Sequence, residues 1–231
     1  MRADRQDARG GPEGPPPTEP TAEVDLLRVA ACVGVTAVGK AFSVVKAGVP
    51  LRDLERTVIH SALDDGADAD LTVSLEAAIK LTGSPRPFDP DQRLKRGDLV
   101  WLQLTGTLKG YCFQHSAVRV VGAATQEQRA FLEHLDEASH WMAEVMRPGD
   151  QVQFVRTESR GRVILPAGHG IGRRGDDVLV IRSNQRFVPR VGQVLVVEPI
   201  VVSHSLGRAT AGQTVVVLEG GTEVLGAELG T

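Results

Sequence analysis

The sequence is poor in the features that mark secreted, membrane-spanning or nucleic-acid-binding proteins. It has two cysteines in 231 residues, Cys32 and Cys112, and neither has the spacing of a metal ligand or a redox motif. We therefore expect reduced thiols in a cytoplasmic protein. The formal net charge of -3 gives no basis for binding nucleic acid or an anionic membrane. No apolar run approaches the length of a bilayer-spanning helix, and the N-terminus lacks the apolar core of a secretory signal.

What is present is the composition of a globular protein, with 42% hydrophobic and 24% charged residues. Residues 1–21 are rich in proline, glycine and charge, which predicts a disordered tail. The remainder, residues 22–231, suits one domain that is long enough to bury a substantial core.

Hydrophobic periodicity predicts both helices and strands. Helical spacing covers residues 23–46, 51–63 and 125–145, and the third helix opens with a capping box formed by Thr125 and Gln128. Strand patterns cover residues 70–79, two strands between Gly97 and Gly122, and the later stretches "VLVIR", "QVLVVEPIVV" and "QTVVVLE". Helices that come early and in the middle, with antiparallel strands between and after, predict an α+β fold rather than repeated βαβ units.

Two glutamines stand out in the stretch "WLQLTGTLKGYCFQH" (residues 101–115), which has the pattern of two strands joined by a turn. Gln103 and Gln114 each occupy a position where a half-buried strand would more cheaply carry an apolar side chain. Burying an unpaired amide costs roughly 1–3 kcal/mol. The two amides therefore need partners, which can be each other, a carboxylate or a ligand.

Six motifs then follow one another in a recognisable order: "RLKRGDLVWLQL", "GYCFQHSAVRVVG", "RPGD", "AGHGIG", "VGQVLVVEPIVV" and "GQTVVVLEGGTEVL". This ordered set resembles the pita-bread fold of methionine aminopeptidase, prolidase, aminopeptidase P and creatinase. The resemblance runs over about residues 24–225. It implies an antiparallel curved sheet with flanking helices.

The resemblance also implies a metal site, because the family's peptidases hold two divalent cations with two aspartates, one histidine and two glutamates. Matched residue by residue, these five positions fall on Gln103, Gln114, His169, Glu198 and Gly212. The last match is open by one residue, with Gln213 beside it. Two divalent cations bring four positive charges, and a neutral amide cannot bridge two metals as a carboxylate does. With Glu198 as the one remaining carboxylate, the uncompensated charge would be costly. We therefore expect a domain that has lost its metals and uses no cofactor.

Further family features are also absent from the matching positions. The family's substrate-side histidine, on which metal-free creatinase relies, falls on Pro87–Phe88. A second histidine beyond the "GHG" motif falls on Asp176. The segment between Gly149 and Gly168 is shorter than the family usually has, so a helix beside the pocket is expected to be trimmed.

These considerations give a candidate site. The catalytic candidates are Glu198 and His169, and the substrate-binding candidates are Gln103, Gln114, Trp101, Asp176, Arg173 and Gln213. Simpler roles stay open for several of them: His169 shaping the glycine turn, Trp101 in the core, Arg173 in solvent, and the glutamines as tolerated drift. Strand alternation should turn His115 to the opposite face from Gln114.

The function predicted from these residues is a metal-independent, non-peptidase enzyme acting on a small molecule. Acid–base or hydrogen-bond catalysis of isomerisation, elimination or cyclisation would suit the site, for example in natural-product biosynthesis. The main alternative is a non-catalytic pseudo-peptidase that binds a peptide or protein, and a one-metal hydrolase is a third. The expected partner is a small-molecule substrate, and a homodimer is left open.

Overall fold

The computed structural model describes residues 21–77, 89–173 and 177–226, which form three helices and fourteen strands. The helices are α1 (Thr21–Ser43), α2 (Leu51–Asp64) and α3 (Gln126–Glu144). The strands are β1 (Thr72–Ala77), β2 (Leu99–Leu108), β3 (Tyr111–Val120), β4 (Val152–Gln153), β5 (Thr157–Ser159), β6 (Arg162–Leu165), β7 (Ala167–Gly170), β8 (Asp177–Arg182), β9 (Arg186–Phe187), β10 (Val194–Val197), β11 (Ile200–Ser203), β12 (Gly207–Thr210), β13 (Gln213–Leu218) and β14 (Gly221–Leu225).

The three helices lie where the periodicity predicts them. Pro50 is the N-cap of α2, and α3 begins with the predicted capping box. In that box the Gln128 backbone N–H donates to the Thr125 hydroxyl at 3.1 Å, while the Gln128 side-chain oxygen accepts from the Thr125 N–H at 3.0 Å. Each of these bonds satisfies an N–H group that the helix itself leaves unpaired.

The expectation that no apolar run approaches the length of a bilayer-spanning helix is wrong for α1. The segment Ala22–Ser43 has the length and the mean hydropathy, 1.5, of a helix that could cross a membrane, and half of it is buried within the protein. Its core face carries Ala30, Val33 and Ala37, which join one hydrophobic cluster with residues of α2, β2 and β3. This apolar character is therefore used in packing α1 into the core.

The strands of the described residues form four antiparallel sheets, of three, five, four and two strands. The first sheet has the order β1-β2-β3, and the second has the order β14-β13-β10-β7-β8. A third sheet, β12-β11-β6-β5, and the pair β4-β9 complete the set. An antiparallel bridge between Ser116 of β3 and Gly212 before β13 connects the first half of the chain to the second. The fold is α+β, as the sequence predicts.

The predicted strand "QVLVVEPIVV" is wrong in one respect, since it is divided at Glu198–Pro199 into β10 and β11, which belong to different sheets. Proline has no N–H to continue a ladder of hydrogen bonds, so the pairing changes at this point. The Glu198 N–H donates to the Ala167 carbonyl at 2.9 Å, which fixes the end of β10 beside β7.

The segment that was expected to lose a helix contains the short strands β4, β5 and β6 and their connecting loops. Several sequence predictions fall outside the described residues. These are residues 1–20 of the N-terminal tail, the end of the predicted strand at residues 78–79, Pro87–Phe88 and Asp176.

Candidate functional site

One face of the first sheet carries the polar side chains that the sequence singles out. The strand register pairs Gln103 with Ser116 and Thr105 with Gln114 across β2 and β3. Residues that pair directly, or that lie two apart on a strand, point to the same side of a sheet. Gln103, Gln114, Ser116 and Trp101 therefore share one side, which we call the inner face.

The inner face meets the end of β10 at a group of three side chains, Gln114, His169 and Glu198, which we call the Glu198 cluster. The Gln114 amide nitrogen donates to Glu198 Oε2 at 2.9 Å. The other carboxylate oxygen, Oε1, lies 3.7 Å from His169 Nε2. The side chains of His169 and Glu198 are 17% and 20% exposed, so the pair is accessible to a small ligand yet largely removed from water.

The hydrogen bonds of the cluster define where a proton can reside. His169 Nδ1 lies 2.9 Å from the Gly170 carbonyl oxygen, which can only accept, so Nδ1 carries a hydrogen. A neutral imidazole with its hydrogen on Nδ1 turns the lone pair of Nε2 towards Glu198 Oε1. The contact between Nε2 and Oε1 is therefore favourable when one proton resides on either the imidazole or the carboxyl group. Such a pair can exchange that proton with a ligand.

Burial raises the pKa of Glu198 above its ordinary value of 4.5. The charge of His169 and the hydrogen bond from Gln114 act in the opposite direction and offset part of this effect. Burial dominates because a carboxylate that leaves water loses more favourable solvation than one neutral amide restores. A carboxyl group with a raised pKa is a stronger base than an ordinary glutamate, which suits it to accepting and returning a proton.

Gly212 lies directly beside this cluster. Its N–H donates to the Ser116 hydroxyl at 2.7 Å, and a Cβ atom built on it would lie 3.6 Å from Glu198 Oε2. The position that resembles the family's last glutamate is thus adjacent to Glu198 in space, although it has no side chain here. The same Cβ would lie 2.9 Å from the Ser116 hydroxyl oxygen.

Gln213 does not join the Glu198 cluster, although the sequence pattern placed it among the substrate-binding candidates. It follows Gly212 on β13, so its side chain points to the opposite side of the strand. There it lines a separate pocket together with His115, which alternation likewise turns away from Gln114. Burial lowers the pKa of His115 to about 4, while the adjacent Gly212 backbone has a weaker opposite effect.

Trp101 lies beside the Glu198 cluster in a cavity of about 190 Å³, which we call the inner pocket. The lining residues are Glu76, Trp101, Ile200, Arg208, Ala209 and Thr210. The Thr210 hydroxyl donates to the Glu198 backbone carbonyl at 3.1 Å, which connects the inner pocket to the cluster. Trp101 Nε1 is buried and has no hydrogen-bond partner within the part of the chain that the structure describes. This N–H is therefore a donor that no acceptor among the described residues satisfies.

Arg173 is exposed, and its guanidinium lies 5.7 Å from the centre of the Tyr111 ring. Tyr111 begins β3, so this contact lies three residues before Gln114 along the strand. Asp176 is outside the described residues. Within the described ranges, no group of three or more His, Cys, Asp or Glu residues is placed so as to hold a metal ion.

Sequence reasoning missed three residues at the site. Ser116 is two positions after Gln114 on a predicted strand, so strand alternation alone could have placed it on the inner face. Glu76 pairs with Trp101 across β1 and β2, but that pairing depends on a register the sequence does not specify. Arg208 lies on β12, which was not predicted as a strand, and nothing in the sequence pattern indicates it.

Comparison with known proteins agrees with this architecture. The profile of Metallopeptidase family M24 matches residues 25–219. The Xaa-Pro dipeptidase of Pyrococcus furiosus is 24% identical over 212 residues, which cover 88% of this chain and 61% of that enzyme. The chain thus spans about three fifths of the curated relatives it matches.

Solved structures show the same fold at low sequence identity. The prolidase from Pyrococcus furiosus superposes with a TM-score of 0.73 and 21% identity, covering 91% of this chain and 65% of its own. The methionine aminopeptidase from Thermotoga maritima gives a TM-score of 0.75 and 18% identity, covering 92% of this chain and 100% of its own. A pita-bread architecture is thus present, and the chain belongs to metallopeptidase family M24.

Proposed function

We propose that this M24 protein is a metal-independent enzyme that moves protons on a small molecule, rather than a peptidase. The observation that carries the proposal is the hydrogen bond from the Gln114 amide to Glu198 Oε2, with His169 Nε2 3.7 Å from Oε1 of the same carboxyl group. These contacts place a largely buried carboxyl group next to an imidazole where the inner face meets the end of β10, which supports an acid–base role for the pair.

The donors present do not fit a two-metal centre. Gln114 turns an N–H donor, not an oxygen, towards the carboxylate, and Gly212 offers no side chain beside it. One carboxylate and one imidazole would face four positive charges, and a neutral amide offsets none of them. The raised pKa of Glu198 agrees with a site that has more desolvation than compensating charge.

Each residue of the cluster has a separate role in this proposal. Glu198 accepts a proton from a carbon acid or hydroxyl group of the substrate, and the imidazolium of His169 delivers a proton from Nε2 to another atom. Gln114 holds Glu198 Oε2 and so directs Oε1 towards the substrate. No proton is gained or lost overall, so the products are isomers, cyclised forms or elimination products.

The inner pocket supplies the binding groups. The unpartnered N–H of Trp101 and the amide of Gln103 lie on the same face, and both can donate to a carbonyl or hydroxyl oxygen. A donor placed where negative charge develops on oxygen also stabilises the transition state. Glu76 and Arg208 lie at the pocket wall and give it one group of each charge. A small polar substrate with a carbonyl group suits this lining.

The test is to incubate the protein with small-molecule extract from its source organism in deuterium oxide, and to follow all components by liquid chromatography and mass spectrometry. A proton on Glu198 or His169 exchanges with solvent deuterium. A product to which this proton is delivered at a carbon atom therefore gains deuterium. We expect one component to change with wild type and to stay unchanged with Glu198→Gln and with His169→Asn. These near-isosteric amides keep the hydrogen-bonding shape but cannot transfer protons.

Binding separates the enzyme from a pseudo-peptidase that only binds. Once the component is known, Glu198→Gln should keep its affinity within a few-fold, whereas Gln103→Leu should weaken binding because a polar group of the substrate loses its partner. If wild type changes no component, and a protein co-purifies whose affinity depends on surface substitutions instead, the enzyme proposal is wrong.

A further inference from the structure

A second pocket lies on the side of β3 and β13 that faces away from the Glu198 cluster. We call it the outer pocket. Its volume is about 380 Å³, within the range of pockets that bind small molecules. The lining residues are Val35, His115, His140, Gln213, Val224, Leu225 and Gly226. They come from α1, β3, α3, β13 and the end of β14. The outer pocket is thus separated from the Glu198 cluster by the layer formed by β3 and β13.

Two sets of contacts fix the walls of the outer pocket. Glu223 of β14 accepts two hydrogen bonds from the Arg28 guanidinium of α1, at 2.9 and 2.8 Å. The neighbouring Thr222 hydroxyl donates to the Ala143 carbonyl of α3 at 2.8 Å. One short stretch of β14 is therefore joined to both helices. A pocket held open between fixed elements is largely pre-formed, which lowers the entropic cost of binding.

The polar groups of the outer pocket are mainly acceptors. Gln213 Oε1 is buried and has no hydrogen-bond partner among the described residues. The Nδ1 atom of His140 lies 2.9 Å from the Asp136 carbonyl, so Nδ1 carries the hydrogen and Nε2 is left as an acceptor in the neutral ring. The rest of the lining is apolar, with Val35, Val224 and Leu225. A buried acceptor without a donor destabilises the protein unless a ligand or water supplies one.

We propose that the outer pocket is a second binding site for a small, uncharged molecule with an apolar body and a hydroxyl or amide N–H group. This group donates to Gln213 Oε1 when the amide of that side chain turns into the cavity. The apolar side chains cover the body of this ligand. The site does not depend on the chemistry of the Glu198 cluster, since Gln213 and His115 face away from Gln114 and Gly212. It assigns Gln213 to a ligand other than the one in the inner pocket.

The experiment uses two probes of nearly the same shape, 4-fluorophenol and 4-fluoroanisole, titrated into the full chain and followed by fluorine NMR. The phenol has an O–H donor, whereas the methyl ether has none. We expect wild type to bind 4-fluorophenol about five- to tenfold more tightly than 4-fluoroanisole, the difference that one hydrogen bond makes. This comparison needs no substitution, so it stands even if a variant fails to fold.

Three variants locate the binding. Gln213→Leu should remove the preference for 4-fluorophenol and leave 4-fluoroanisole affinity within about twofold. Val35→Trp should abolish binding of both probes, because the larger side chain fills the pocket. Gln103→Leu, which alters the inner face, is the matched control and should change neither affinity. Thermal unfolding of each variant verifies that it is folded.

Two results would overturn the proposal. If wild type binds both probes with equal affinity, Gln213 Oε1 does not select a donor. If Gln103→Leu removes 4-fluorophenol binding, the probe binds at the inner face and not in the outer pocket.

Discussion

At Glu198, burial and hydrogen bonding act in opposite directions on one carboxyl group. Burial favours the protonated form, whereas the Gln114 amide and the charge of His169 favour the ionised form. The net effect is a raised pKa, so the folded protein holds this proton to a higher pH than the unfolded chain does. Ionising Glu198 in the folded protein therefore costs stability.

This cost predicts a pH-dependent effect of Glu198→Gln. Stability that depends on the protonated carboxyl is present below about pH 4.5 and is lost as the pH rises towards the folded-state pKa. The glutamine of the variant does not titrate, so the variant keeps its free energy of unfolding while that of wild type falls over this pH range. The difference between the two should grow by about 1.4 kcal/mol for each unit by which the folded-state pKa of Glu198 exceeds the unfolded-state pKa. Urea unfolding from pH 4 to 8 measures this.

The control for this measurement is Gln103→Leu, which changes the same face but removes no titratable group. Its free energy of unfolding should run parallel to that of wild type across the pH range. A Glu198→Gln curve that is also parallel would mean that Glu198 titrates alike in the folded and unfolded chain.

The identity of the polar residues could be predicted from sequence, but their grouping could not be predicted fully. Gln103, Gln114, His169 and Glu198 were singled out by their motifs, and the structure brings Gln114, His169 and Glu198 into contact. Gln213 was placed in the same group because it neighbours Gly212 in sequence. A shift of one residue along a strand moves a side chain to the opposite face, so a one-residue ambiguity decides which pocket it enters.

At the scale of elements, the position of His169 depends on how closely β7 approaches β10. Gly168 permits this approach, since a Cβ atom there would lie 2.3 Å from the Val196 carbonyl oxygen. That oxygen belongs to the backbone of the central strand β10, which cannot shift without disturbing its pairing with β13. Glycine at this position is thus required by packing between two strands.

Gly168→Ala should therefore destabilise the protein by about 2 kcal/mol or more, because an added methyl group in a closed space forces the strands apart. It should also reduce the proposed catalytic activity below that of wild type, since His169 would move away from Glu198. The matched control is Gly39→Ala on α1, where an added Cβ atom meets nothing within 4 Å. That substitution should stabilise the helix by about 0.5–1 kcal/mol. Thermal and urea unfolding of both variants would show whether the effects have opposite signs.

Long helices and strands, in which the hydrophobic period repeats several times, were predictable, whereas short strands were not. The three helices and the hairpin of β2 and β3 have many apolar residues in register, so local pattern and tertiary packing agree. Strands β4, β5, β6, β9 and β12 have two to four residues each, too few to establish a period. The division at Glu198–Pro199 was visible in the sequence, but an uninterrupted apolar pattern on both sides favoured one strand.

At the scale of the whole molecule, the chain has the M24 fold, and on our proposal its site works without metals. The bridge between Ser116 and Gly212 still joins the two halves of the chain beside Glu198. On this proposal, backbone pairing fixes the shape of the site without a cation. A protein of this kind should be fully stable without metal, and its stability should not respond to added metal.

The final prediction tests this with manganese and a variant in which the ligands are restored. Wild type, mixed with Mn²⁺ and desalted, should retain well under one equivalent, and its thermal midpoint should not rise, because a ligand that binds only the folded state must stabilise it.

The triple variant Gln103→Asp, Gln114→Asp, Gly212→Glu brings three carboxylates beside Glu198. Without metal it should be less stable than wild type at neutral pH, since like charges at short distance repel. With Mn²⁺ at one hundred times the dissociation constant it should recover about 2.7 kcal/mol. The contact of the new side chain at position 212 with the Ser116 hydroxyl oxygen is relieved by rotation of the Ser116 side chain about its Cα–Cβ bond. This rotation gives up the hydrogen bond from the residue 212 N–H to that oxygen, while the backbone bridge between the two residues keeps the fold in place. If wild type itself binds two equivalents of Mn²⁺, or hydrolyses Met- or Xaa-Pro peptides, the metal-independent function is excluded.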